Sequence, residues 1–84
     1  MVTVRYWAAA RHAAGVAEES LTAGTLAEAL SQVRARHPGT PELAAVLARS
    51  SFLVDGTQAG GRAADAVQLG EGAVIEVLPP FAGG

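Results

Sequence analysis

The chain has 84 residues, half of them hydrophobic, a formal net charge of -2 and no cysteine. That is material for one small domain, and its core must form by packing, since neither a disulfide nor a thiolate-held metal can supplement it. The same absence excludes iron–sulfur and zinc–thiolate chemistry and fits a reducing, cytoplasmic compartment.

The opening MVTVRYWAAARHAAG lacks the basic start and long apolar run of a signal peptide. No stretch approaches the roughly 18 continuous apolar residues of a membrane span. A soluble protein with no membrane role is expected. Every basic residue is an arginine: Arg5, Arg11, Arg34, Arg36, Arg49 and Arg62. Beyond residue 50, Arg62 alone faces Asp55, Asp65, Glu71 and Glu76. That balance argues against nucleic acid and for a partner with a basic docking surface.

In chain order, VTVRYW over 2–7 alternates, with Val2, Val4 and Tyr6 on one face and Thr3, Arg5 and Trp7 on the other. This is the period of a half-buried strand. A loop or short turn with Gly15 leads to VAEESLTA, a second strand diluted by Glu18 and Glu19. Thr25, with Glu28 three residues on, has the spacing of a helix capping box, and Leu26, Leu30 and Val33 form one apolar stripe. This helix should run to about His37 and end at Pro38-Gly39. Pro41 suits the first position of a second, short helix whose stripe is Leu43, Val46 and Leu47. SFLVDG is a third strand closed by the hairpin signal Asp55-Gly56. The turn-rich TQAGGRAADAVQLGEG has room for a short edge strand, and AVIEVL over 73–78 reads as a central strand. Gly15, Gly56 and Gly72 are turn residues.

This order predicts one α+β domain over residues 1–80, a main helix packed on one face of a mixed sheet with a short helix beside it. If the first and last strands pair in the middle of that sheet, the architecture is a β-grasp, the ubiquitin-like fold. Pro79 and Pro80 then follow a central strand directly, where proline cannot donate to a ladder and the chain must leave the sheet.

Conventional catalysis finds little to work with. There is no cysteine nucleophile, no G-x-S-x-G, no H-E-x-x-H and no phosphate-binding glycine loop. His12 and His37 have no carboxylate at ligand spacing; His37 reads as a dipole partner at a helix end, and Glu18, Glu19 and Glu71 as solvated charges. No metal site is expected.

The remaining feature is the end, LPPFAGG. From Pro80, residues 81–84 can extend by about 13 to 14 Å, enough to thread a channel in another protein. Gly83 and Gly84 carry no Cβ, so backbone can approach a surface closely and the terminal carboxylate is unobstructed. Pro79 and Pro80 restrict the exit direction and so lower the entropy lost on capture. A carboxylate needs activation before it reacts, most simply as an acyl-adenylate made with ATP by another enzyme. An inert, disordered tail is the competing reading.

Three places carry a family resemblance: the opening strand with YWAAARHAAG, LVDG followed by GEGAVIEVLPP, and PPFAGG. Together they resemble the small subunit of molybdopterin synthase, within the β-grasp sulfur carriers that include the thiamine sulfur carrier. The resemblance implies that an adenylating enzyme using ATP activates Gly84, that a sulfurtransferase or cysteine desulfurase system supplies sulfur, and that the resulting thiocarboxylate serves molybdenum cofactor biosynthesis. The acceptor would be a pyranopterin precursor held by a large subunit, which supplies the catalytic groups in a heterotetramer of two small and two large subunits. The chain itself would bind no cofactor. Service to thiamine, cysteine or another thio-metabolite, protein modification, and a non-carrier interaction domain are the alternatives. An acidic residue frequent in the family is replaced by Ala73, and the usual lysines are absent.

The expected site is therefore Gly84 as the reactive end, with Gly83, Ala82, Phe81, Pro80 and Pro79 as a projecting arm and Arg11 as a partner contact matching the family's arginine. Phe81 is a docking anchor or a residue folded over its own sheet, the first being favoured because aromatics concentrate at interface hot spots. Trp7 is equally a partner contact or a side chain capped by the following loop, and Arg11 is alternatively a plain surface charge.

Overall fold

A computed structural model describes residues 1–60 and 62–80. The expected arm over 81–84 lies outside the described residues. The elements are β1 (Val2–Tyr6), α1 (Ala8–Ala14), β2 (Glu18–Leu21), α2 (Leu26–Arg36), α3 (Pro41–Arg49), β3 (Ser51–Val54), β4 (Thr57–Gln58), a 3-10 turn (Ala64–Ala66) and β5 (Val74–Leu78).

The sheet order is β2-β1-β5-β3-β4. β1 and β5 run parallel at its centre, with Val4 opposite Ile75 and Tyr6 opposite Val77, while the other neighbours are antiparallel. This is the β-grasp expected from the sequence, a mixed sheet with its first and last strands side by side. Its inner face is apolar because the alternation holds: Val2, Val4, Tyr6, Ile75 and Val77 are all buried. Leu26, Ala29, Leu30 and Val33 of α2, and Leu43, Val46 and Leu47 of α3, cover that face. Full burial of each such Leu, Val or Ile contributes about 1.5–3 kcal/mol, so these two stripes and the inner face supply the bulk of the folding energy.

The helix signals read as expected. Thr25 Oγ1 accepts from the Glu28 N–H at 3.2 Å, and Glu28 Oε1 reaches back to the Gly24 N–H at 2.7 Å, one residue earlier than in the usual reciprocal box. Pro41 opens α3. At the β3–β4 hairpin, Asp55 (φ 51) and Gly56 (φ 82) form a two-residue turn with both central residues left-handed. Asp55 also ties this hairpin to β5, donating its N–H to Val74 O at 2.8 Å and accepting the Val74 N–H on Oδ1 at 2.9 Å.

Three expectations are corrected. Residues 8–14 form a helix where a loop or short turn was expected, so the fold has three α-helices rather than two among the described residues. Ala is the best helix former, and α1 packs on α3 with only Ala10 fully buried, so it carries no stripe of large apolar residues to announce it. The second strand covers only Glu18–Leu21 of VAEESLTA. The first strand stops at Tyr6, and Trp7 is the N-cap of α1.

Candidate functional site

The parallel pairing of β1 with β5 places the C-terminal ends of both strands at one end of the sheet. Pro79, half-buried, and Pro80, exposed, leave β5 there, where β5 is flanked by β1 on one side and β3 on the other. The exit predicted for the two prolines is thus a central one. Phe81, Ala82, Gly83 and Gly84 lie outside the described residues.

Beside this exit stand the side chains at the end of β1 and the start of α1. Trp7 is 45% exposed, and its indole Nε1–H donates to Glu76 Oε1 at 3.2 Å. Trp7 is therefore fixed against the outer face of β5 by a hydrogen bond rather than capped by a loop. Ala8, which follows it, has φ 50, a left-handed value costly for a residue with a Cβ. That turn swings the chain from β1 into α1, and Arg11, one helical turn on, lines a small hollow with Arg5, Trp7 and Glu18. Arg11 is exposed in the last turn of α1, and Gly15 closes that helix with φ 79, donating its N–H to Arg11 O at 2.9 Å.

The register builds a row across the outer face of the sheet: Glu18, Arg5, Glu76, Leu53 and Gln58 are successive neighbours. Arg5 sits between two carboxylates, with its Nε 3.6 Å from Glu18 Oε1. Leu53 within the row, and Val74 and Leu78 on either side of it along β5, are half-buried. No helix among the described residues covers this face, so apolar side chains, an indole and alternating charges share one open surface adjoining the exit of the chain. Sequence reasoning found Trp7 and Arg11 but passed over Arg5, Glu18 and Glu76. The two-residue period of β1 and β5 already set Arg5 and Glu76 on their polar faces; the strand register that joins them was not readable.

A second polar cluster lies on the helix side. Glu19 Oε2 accepts from the Tyr6 hydroxyl at 2.6 Å and lies 2.8 Å from His37 Nε2, while Arg36 approaches the other oxygen at 4.0 Å. Glu19 is thus no ordinary solvated charge, and His37 has a carboxylate partner in space that it lacks in sequence. Burial by itself would raise the Glu19 pKa, but hydrogen bonds from Tyr6 and His37 and the charges of His37 and Arg36 outweigh it and hold the carboxyl below its usual value. Burial, reinforced by the adjacent carboxylate, pushes the Tyr6 hydroxyl far above its ordinary range. These hydrogen bonds join β1, β2 and the end of α2 through one carboxylate, so the cluster works as a structural clamp. Glu71, by contrast, is exposed and pairs with the Met1 amine, which keeps its carboxyl below the ordinary value.

No group of three or more potential metal ligands assembles among the described residues, and no helix among them is long and apolar enough to cross a membrane. The described residues therefore offer an open outer face and a central chain exit.

Solved structures share this architecture. The small archaeal modifier protein 1 of Methanosarcina acetivorans superposes with a TM-score of 0.82 at 23% identity, covering 99% of this chain and 95% of that one. CysO of Mycobacterium tuberculosis gives 0.77 at 18% identity, covering 96% and 100%. The complex of subunits 1 and 2 of the molybdopterin-converting factor from Helicobacter pylori contains a chain matching at 0.65 and 23% identity, covering 99% and 97%. At these identities the likeness speaks for the β-grasp fold. No curated protein sequence matches the chain. The sequence pattern of the ThiS family matches residues 4–84, nearly the whole length, and the chain belongs to that family of small β-grasp sulfur carriers.

Proposed function

We propose that this protein is a sulfur carrier acting as the small subunit of a molybdopterin synthase. In the proposed cycle an activating enzyme uses ATP to adenylate the Gly84 carboxylate, releasing pyrophosphate. Hydrosulfide delivered by a sulfurtransferase or cysteine desulfurase system then attacks the acyl carbon and expels AMP, leaving a thiocarboxylate. A large subunit receives the arm and passes the sulfur to a pyranopterin precursor, within an assembly of two small and two large subunits. The catalytic groups belong to the partners, and this chain is their carried substrate.

The observation that carries the reading is the exit of Pro79-Pro80 from a central strand beside an open outer face, followed by four residues with a reach of about 13 to 14 Å. Trp7, hydrogen-bonded to Glu76 of β5, and Arg11, which shares a small hollow with it, are the proposed partner contacts. The Helicobacter pylori neighbour, whose chain is found with a second converting-factor subunit, supports a partner of that kind. A second reading, a protein modifier, draws support from the Methanosarcina acetivorans neighbour, named as one.

The test is intact mass spectrometry after co-expression with an activating enzyme and a sulfur source, followed by reconstitution with a synthase large subunit. The expected product carries sulfur in place of one terminal oxygen and supports pterin dithiolene formation, while deletion of Gly84 abolishes both. Sulfur delivery by the truncated chain would refute the mechanism. A thiocarboxylate that forms but is never accepted by the large subunit would favour the second reading.

A further inference from the structure

The sheet has two edges. β4 is only two residues long, whereas β2 is a longer strand that would offer a ready template for pairing. The Tyr6 N–H donates to Ala17 O at 2.9 Å, which sets the parity of the β1–β2 ladder. Odd-numbered residues of β2 turn their backbone groups toward β1, and Glu18, Ser20 and Thr22 turn theirs to the free edge.

Two of those three outward carbonyls are already taken by side chains of α2. Arg36 Nη1 donates to Ser20 O at 2.8 Å, and Gln32 Nε2 donates to Thr22 O. Arg36 and His37 also reach the Glu19 carboxylate, so the C-terminal half of α2 and its cap hold β2 and the residue that follows it at four points.

We infer that the free edge of β2 is a latent self-pairing surface and that Gln32 and Arg36 keep it shut. The occupant it fits is a second copy of the same strand. With even-numbered residues facing outward, an antiparallel pair about a two-fold at Ser20 sets Ser20 against Ser20, Glu18 against Thr22 and Glu19 against Leu21. No carboxylate then opposes a carboxylate. A two-fold at Glu18 or Glu19 would set like charges directly opposite, which disfavours those registers. The Ser20 register needs the Ser20 and Thr22 carbonyls as acceptors, and these are the two that α2 occupies.

The test is sedimentation equilibrium of the full chain, wild type against the double variant Gln32→Ala/Arg36→Ala, with far-UV circular dichroism to confirm the fold. Both side chains lie at the rim of the core, Arg36 exposed and Gln32 half-buried. The double variant is expected to self-associate at least roughly tenfold more strongly than wild type. Adding Ser20→Pro, which removes the central donor of the new ladder, should return it to the wild-type state. A folded double variant no more associated than wild type overturns the inference, as does association that survives Ser20→Pro. If the double variant does not fold, the single variant Arg36→Ala, which frees the central carbonyl, is read against the same two outcomes.

Discussion

Replacing Glu19 by alanine removes the acceptor shared by Tyr6 and His37, and the structure sets the size of the loss. Hydrogen bonds to a charged acceptor contribute about 1.5–3 kcal/mol each, and a buried donor left unpaired costs about 1–3 kcal/mol. Tyr6 is 2% exposed, so its hydroxyl has few substitutes for the bond at 2.6 Å. The His37 and Glu19 side chains are 15% and 16% exposed, so water recovers part of the second bond. The expected destabilisation is about 3 kcal/mol, taking the Tyr6 bond in full and the His37 bond in part. Tyr6→Phe should cost less, about 1.5 kcal/mol at the low end of that range, because Glu19 keeps His37 and Arg36 and no buried donor is orphaned. Urea unfolding at neutral pH, read as a shift in midpoint at constant slope, measures both. Equal losses in the two variants would refute the account of the clamp. Acid supplies a further check. The carboxyl is held below 4.5 in the folded chain, so its stabilisation is fully present above that value and is lost as pH falls through the lower folded pKa. The gap between wild type and Glu19→Ala should therefore narrow on acidification.

Ile75, fully buried at the centre of the sheet, should cost about 2–5 kcal/mol on replacement by alanine, measured in the same unfolding assay. Thr25→Ala removes the side-chain acceptor of the Glu28 N–H and should cost about 1 kcal/mol, with amide exchange accelerated in the first turn of α2. Trp7→Ala should weaken binding to a synthase large subunit by about 2 kcal/mol, the scale of an aromatic hot spot, while the unfolding midpoint moves less, because the side chain is 45% exposed and outside the core. Titration calorimetry and urea unfolding together separate these two effects.

Much of the fold was legible because it rests on strong periodicity. The alternation of Val2, Val4 and Tyr6, the stripe of Leu26, Leu30 and Val33, and the Asp55-Gly56 turn each report one local preference that packing then reinforces. α1 was not legible, since AAARHAA buries one alanine and its helix depends on docking against α3. Glu19 and His37 are 18 residues apart and become partners only once α2 crosses β2. A sequence shows which groups are charged, and long-range geometry decides which of them meet. Of the residues on the outer face, Trp7 and Arg11 were singled out from sequence, while the Arg5 row needed the register of three strands. The proposed reactive end, Gly84, rests on the sequence and on the resemblance it carries.

The central placing of β5 has a mechanical consequence. A partner that captures the chain beyond Pro80 and draws it outward loads β5 along its own axis, against ladders on both flanks. Such a load shears all those hydrogen bonds together, whereas a chain leaving from an edge strand could be peeled away one bond at a time. The two prolines thus mark the place where tension applied to the chain would enter a strut braced on both flanks.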